Sequence, residues 1–276
     1  MAKQVADQDR NFDGLVERFN KNVYGGLKGA IRLAVLQRDF NLHLPFVSAR
    51  AAGQKPLRIL DAGGGQGQFS LQLARAGHEL VICDISAEML AQAQTEVLRA
   101  GLNDSVTLVH GSLGELPLYI TDCQFDVVLC HAVMEWMAEP EKLLPCLQMY
   151  LKPDGHLSLT YYNRNALVYK NLLRGNFTKV IAEDFGGARG SLTPIHPMDP
   201  TIVATWVEEL NFSVVGRSGI RVFHDYIFDA KAREHDHENL IALELEFSQQ
   251  EPFWLLGRYI HLILNRNILG ANSSSK

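Results

Sequence analysis

No apolar run in this 276-residue chain reaches membrane-spanning length; the best candidate, Trp254 to Leu264, is broken by Gly257, Arg258 and His261. Met1 to Gln8 hold no apolar stretch either, so a secretory leader is not expected. Cysteine is scarce. The four, Cys83, Cys123, Cys130 and Cys146, show no Cys-x-x-Cys spacing, which excludes a disulfide framework and points to reduced thiols in a cytoplasmic protein. Positive charge is not in excess: the net charge of -5 argues against indiscriminate nucleic-acid binding. Gly-Lys-Ser/Thr is missing, so no phosphate-cradling loop of that type exists. At 47% hydrophobic and 21% charged, the composition is that of a soluble globular chain with a substantial core.

What is present centres on Leu57 to Gly67. A short apolar strand ends in Asp61, and glycines follow at positions 63, 64, 65 and 67 before a helix-like segment, Phe69 to Ala76. Glycine permits positive φ and close approach of a ligand to the main chain. The dinucleotide fingerprint fails, because counting from Gly63 and Gly65 its third position is Gln68. Asp61-x-Gly63-x-Gly65-x-Gly67 instead resembles motif I of the class I S-adenosylmethionine (AdoMet) methyltransferases. The next strand, His78 to Asp84, ends in an acid some twenty residues after the glycines, where a carboxylate can accept both ribose hydroxyls. Asp61, Gly63, Gly64, Gly65 and Asp84 are therefore the candidate cofactor residues. A turn and a strand-end acid with no ligand is the plainer alternative.

Strands and helices then alternate: helix Ser86 to Ala100 closed by Gly101, strand Ser105 to His110, strand Phe125 to His131, helix Pro140 to Leu151, a turn at Pro153-Asp154-Gly155, and strand His156 to Tyr162. This predicts an α/β class, doubly wound and mostly parallel sheet with ligands at the strand carboxyl ends. Residues 1–56 read as an N-terminal helical lid (helices over 11–24 and 26–44) and linker, 57–265 as the transferase domain with an insertion at 163–200, and 266–276 as a tail. The fold resumes with helix Pro200 to Leu210, strand Phe212 to Val215, an acidic helix from about Ala230 to Ser248, and strand Arg258 to Asn265. Arg32 on the lid suits the AdoMet carboxylate, or is a surface arginine.

Charge is uneven. Arg10 to Arg38 carry six Lys/Arg against two Asp/Glu, while Asp225 to Glu251 carry two against eight. Folding that gathers the basic segments would give one basic face and one acidic back; charges spread over solvated helices are the alternative.

No Asn/Asp-Pro-Pro-Tyr follows the fourth strand, where Cys130-His131-Ala132-Val133 stands, and no cysteine has a nucleophile's context. Oxygen, sulfur or simple carbon acids remain as methyl acceptors. Asp9-Arg10-Asn11-Phe12, Asn22-Val23-Tyr24-Gly25, His131-Ala132-Val133 with Glu135-Trp136, Gly175-Asn176-Phe177, Gly219 through Tyr226, and Gln250-Glu251-Pro252 with Gly257 to His261 resemble the bacterial tRNA 5-carboxymethoxyuridine methyltransferases over nearly the whole chain. The resemblance implies esterification of the carboxymethoxy group on the wobble uridine in the tRNA anticodon, AdoMet as cofactor, adenine contacts at Ser112 and Leu113, and no DNA, membrane or metal partner. His131 is expected near the methionine end of AdoMet. Arg221, His224, Tyr226, Tyr162 and Arg189 are the candidates for holding the acceptor carboxylate, Arg221 first; a structural ion pair from Arg221 to Asp225 or Glu135 is the alternative. A carboxyl or hydroxyl methyltransferase for a free small molecule and a non-catalytic AdoMet-binding protein are the competing functions.

Overall fold

The computed structural model describes residues 9–19, 25–51, 53–185, 194 and 196–267. The segments Asn22 to Tyr24 and Gly186 to Ser191, with Arg189, lie outside them, as does most of the tail.

Seven strands form one sheet: β1 (Arg58–Ala62), β2 (Glu79–Asp84), β3 (Val106–His110), β4 (Phe125–His131), β5 (Leu151–Tyr162), β6 (Phe212–Ile220) and β7 (Tyr259–Arg266). Their order is β3-β2-β1-β4-β5-β7-β6, parallel except that β7 runs antiparallel to both β5 and β6. This is the expected Rossmann-like arrangement. Before β1 lie α1 (Val16–Phe19), α2 (Gly26–His43) and α3 (Pro45–Ser48). Between the parallel strands lie α4 (Leu71–Arg75), α5 (Ala87–Ala100), α6 (Leu116–Tyr119) and α7 (Leu143–Tyr150). After β5 come α8 (Arg164–Leu173), α9 (Phe177–Ile181) and α10 (Pro200–Glu209), and after β6 come α11 (Ala230–His235) and α12 (His237–Phe247).

Side chains alternate across each strand, so the sheet feeds two cores. Ile59, Val127, Leu129 and Ile263 pack on one face with Ile31, Val35, Leu36 and Phe40 of α2. Leu60, Ala62, Val128 and Cys130 pack on the other with Leu143, Leu144 and Leu147 of α7 and Val203 of α10. Strands buried on both faces read as continuous apolar runs for this reason. The start of α5 follows its sequence closely: the Ser86 hydroxyl accepts the Met89 amide at the N-cap, and Gly101 ends the helix at φ 65°.

Four local expectations change. Pro153-Asp154-Gly155 does not separate helix from strand; it is an irregularity inside β5, with Asp154 at φ 63° and the β4 register jumping between Phe125 and Val127. Strand β6 runs on to Ile220, since β7 offers it a ladder that Val215 to Gly219 do not announce by alternation. The acidic helix divides at Asp236, whose carboxylate caps the amide of Asn239. Of the first expected helix only Val16–Phe19 is helical among the described residues, and Asn11 and Asp13 form a side-chain turn instead.

Candidate active site

The turn after β1 is built from backbone that only glycine adopts comfortably. Gly63, Gly65 and Gly67 have φ of 67°, 54° and 67°. A Cβ on Gly64 would lie 2.4 Å from Asp61 Cγ. The loop is tied to β2: the amides of Gly63 and Gly64 donate to the Cys83 carbonyl, and the Gly65 amide donates to Asp84 Oδ2 at 2.8 Å. Asp84 Oδ1 accepts the Ser86 amide at 2.8 Å. Each carboxylate oxygen has several acceptor sites, so these bonds orient Asp84 and leave capacity for two hydroxyls. Burial raises the Asp84 carboxyl above its ordinary range, and burial pushes Asp61 up to about 7.

Asp61, Gly63, Gly64, Gly65 and Asp84 line a cavity of about 310 Å³ with Ser112, Leu113, His131, Met89 and Trp136. Its size suits a nucleoside with a short amino-acid tail. Ser112 stands at the mouth of a short 3-10 turn, its amide donating to Glu115 at 2.8 Å. One wall comes from a motif of the family resemblance to which the sequence assigned no role. Asp9, Arg10 and Phe12 close the cavity from the N-terminal segment, held by Ala138 N donating to Asp9 Oδ1 at 2.9 Å, Arg10 N donating to the Trp136 carbonyl at 3.1 Å, and a Phe12–Trp136 edge contact at 5.1 Å. No periodicity marks so short a segment, and it gains its place from residues distant in sequence, Ile85, Trp136 and Ala138 among them.

His131 stands at the end of β4, its ring 5.6 Å from Phe69. Burial, above all, holds it well below the ordinary imidazole range, so it is neutral. Arg32 is buried; its guanidinium lies 4.3 Å from the Tyr259 ring rather than on the cavity lining.

Four of the five acceptor candidates, Arg189 being outside the described residues, gather in a second cluster beside it. Arg221 also sits over Tyr259, at 5.6 Å, and pairs with Asp225 at 3.4 Å; Arg258 pairs with the same carboxylate oxygen at 3.4 Å and covers Tyr162 at 4.8 Å. The ion pair weighed from sequence is therefore formed, with Asp225 and not Glu135. Arg221 Nε and Arg258 Nη1 are nevertheless buried with no hydrogen-bond partner. Burial works to raise Asp225, but Arg221, the His224 hydrogen bond, Arg258 and Lys170 hold it well below the carboxylate range. Burial and the neighbouring arginines push Lys170 down to about 8, with Asp225 opposing, and burial and Arg221 lower Lys28 as well. Cations thus exceed carboxylates here, the condition for receiving an anion. His224 and Tyr226 serve the frame: His224 Nδ1 is 3.0 Å from Asp225, and the Tyr226 hydroxyl donates to the Leu256 carbonyl at 2.6 Å. Among the described residues no group of His, Cys, Asp and Glu is placed to hold a metal ion, and no helix is long and apolar enough to cross a membrane.

A methyltransferase-domain family model matches residues 60–159. The tRNA 5-carboxymethoxyuridine methyltransferase of Escherichia coli O157:H7 is 40% identical over 255 residues, covering 92% of this chain and 95% of the relative; that of strain K12 is 39% identical over the same shares. Among solved structures, the plantazolicin methyltransferase BpumL in complex with SAH superposes with a TM-score of 0.53 at 14% identity, over 93% of this chain and 90% of that one. A likeness at that identity speaks for the fold.

Proposed function

The chain belongs to the tRNA 5-carboxymethoxyuridine methyltransferase family, and from that premise we propose that it esterifies the carboxylate of 5-carboxymethoxyuridine at the wobble position of the anticodon. It is an AdoMet-dependent methyltransferase with tRNA as substrate. A tRNA substrate supports a cytoplasmic location in this reading.

When bound, AdoMet supplies an electrophilic methyl group on a sulfonium. Asp84 would accept the ribose hydroxyls, Gly63, Gly64 and Gly65 with Asp61 would cradle the donor, Ser112 and Leu113 would border the adenine, and His131, with the Arg32 charge behind it, would face the methionine part. The acceptor needs no general base, because a carboxylate with a pKa of about 4 is ionised at neutral pH. With AdoMet bound, one carboxylate oxygen would take the methyl while the carbon–sulfur electron pair stayed on sulfur, so the protein's residues would have no proton to move. The protein's task is alignment, worth up to roughly 7–11 kcal/mol in favourable models.

The observation that carries this reading is the pair of unpartnered donors, Arg221 Nε and Arg258 Nη1, in a cationic cluster that shares Tyr259 with Arg32. They suit the far oxygen of a carboxylate, leaving the other free to react. Asp225 and His224 would position Arg221, and Tyr162 and Tyr226 would wall the cluster. The insertion supports an anticodon-loop substrate: Lys170, Arg174 and Lys179 alternate with the exposed rings of Tyr169 and Phe177, a mixture on which unpaired bases stack. In this reading residues 1–56 form the lid, 57–265 the transferase domain, 163–200 the tRNA-facing insertion and 266–276 a tail. The test is methyl incorporation from labelled AdoMet into bulk tRNA of cells lacking the gene, followed by nucleoside analysis. A labelled methyl ester of 5-carboxymethoxyuridine is expected; label in any other nucleoside, or none, rejects the proposal.

A further inference from the structure

Four polar side chains from four elements form an unbroken hydrogen-bonded chain through the interior, ending at the cavity. Asp39 Oδ2 on α2 is 2.7 Å from His261 Nδ1 on β7; His261 Nε2 is 2.9 Å from Ser158 Oγ on β5; Ser158 Oγ is 2.8 Å from His131 Nε2 on β4. Asp39, His261 and Ser158 are each no more than 2% exposed. Esterification of a carboxylate releases no proton, so the chain has no proton to carry away. It needs another purpose.

Proton counting supplies one. Asp39 is an ionised acceptor, held below the ordinary carboxylate range, against burial, by His261 and Arg38; His261 Nδ1 must therefore carry hydrogen. Arg38 Nε, 2.6 Å from Asp39 Oδ1, offers that carboxylate a counter-charge of its own; with one hydrogen on His261, the one at Nδ1, the chain has a single direction. His261 Nε2 is then a bare acceptor, to which Ser158 donates its one proton. The Ser158 oxygen must in turn accept from His131 Nε2–H. His131, itself neutral, is left with an unprotonated Nδ1 as the ring nitrogen available to a ligand in the cavity it lines. The other charged and titratable groups around the pair are His43 and Arg32, both from α2.

We propose that Asp39, His261 and Ser158 are positioning residues that fix the tautomer of His131, so that a lone pair rather than an N–H faces the cationic end of the methyl donor. The inference rests on AdoMet occupying this cavity. A lone pair attracts a sulfonium and an ammonium, whereas an N–H repels both. Helix α2, part of the lid, thereby sets the polarity of a group at the donor site.

Asp39→Asn provides the discriminating test. Asp39 Oδ1 takes three donors, Arg38 Nε, Ser218 Oγ at 3.0 Å and Gln249 Nε2 at 3.4 Å, so the asparagine oxygen must keep that place and its NH2 must point at His261. Every donor and acceptor in the chain then reverses, ending with His131 Nδ1–H; the logic is that of an aspartate-to-asparagine change beside a catalytic histidine. The experiment is 15N NMR of histidine-labelled protein without ligand, His131 being assigned by the signal lost in His131→Gln, with AdoMet and S-adenosylhomocysteine affinities by calorimetry. The expected result is His131 protonated at Nε2 in the parent and at Nδ1 in Asp39→Asn, with AdoMet binding about tenfold weaker and the neutral-sulfur product less affected. Ser158→Ala, which cuts the chain without reversing it, should give a tautomer mixture and an intermediate affinity. Parent protein protonated at Nδ1, or a His131 tautomer unmoved in either folded variant, overturns the inference. Failure of the parent to bind AdoMet would instead sink the cofactor assignment, since the ring shifts are read without ligand.

Discussion

Arg221 Nη2 and Asp225 Oδ2 stand 3.4 Å apart, both groups less than a tenth exposed, and the same oxygen is shared with Arg258. The arginine is thus anchored by one nitrogen while its Nε has no partner. An anchored guanidinium loses little freedom when it grips an anion, so the ion pair and a binding role are compatible.

The first prediction uses the backbone of this residue. Arg221 sits at φ 63°, a conformation glycine adopts without strain, so Arg221→Gly removes the side chain while relieving the main chain. Turnover with tRNA should fall by roughly 10- to 100-fold, the loss expected of one charged contact, with AdoMet affinity kept. Steady-state kinetics and calorimetry check this; loss of AdoMet binding would move Arg221 to the donor site.

Asp84→Asn should weaken AdoMet roughly tenfold or more. The carboxylate uses Gly65 N and Ser86 N for orientation, and an amide nitrogen in either place would meet a donor instead of accepting one. Isothermal titration reads it; unchanged affinity would remove the ribose from this carboxylate.

Glu135 is wholly buried, and burial pushes its carboxyl up from 4.5 to about 7 against the opposing Glu135 and Tyr162 amides and the Arg32 charge. A raised carboxyl pKa means the ionised form is disfavoured in the folded state. The penalty is absent below the unfolded pKa, grows as pH rises towards the folded one, and is complete above about 7. Glu135→Gln should therefore stabilise the ligand-free protein at pH 8, by on the order of 3 kcal/mol, and by almost nothing near pH 4. Urea unfolding at the two pH values decides; equal effects at both would mean that ionisation is not the cause.

Lys170 titrates at about 8, so its positive charge fades over a mildly alkaline range. The KM for tRNA should rise above pH 8, and Lys170→Arg should flatten that rise because a guanidinium stays charged. Replacing Lys179 by alanine should lower the salt dependence of tRNA binding by about one unit of slope if it meets a phosphate, and leave AdoMet binding untouched. A salt slope unchanged in Lys179→Ala would remove that residue from the tRNA surface.

The glycine turn, Asp61, Asp84 and the parallel strands were legible because each is a local pattern: apolar runs bounded by turns, an N-cap at Ser86, glycines where φ is positive. The irregularity in β5 was not, since Pro153-Asp154-Gly155 has the composition of a turn and only the facing register of β4 draws it into a strand. The same limit hid the place of Asp9 to Phe12, whose contacts reach Ile85, Trp136 and Ala138.

By itself the sequence determined the class of sheet, the glycine crevice and the strand-end acid beside it, because short-range propensity and side-chain period are written in consecutive residues. Only the tertiary structure decided that Asp39 reaches His261, 222 positions away, and that Arg221, Arg258 and Tyr259 share one cluster. Buried polar partners are chosen by which strands become neighbours, here β5 beside β7 beside β6, and that order is set by packing two cores at once rather than by any local signal.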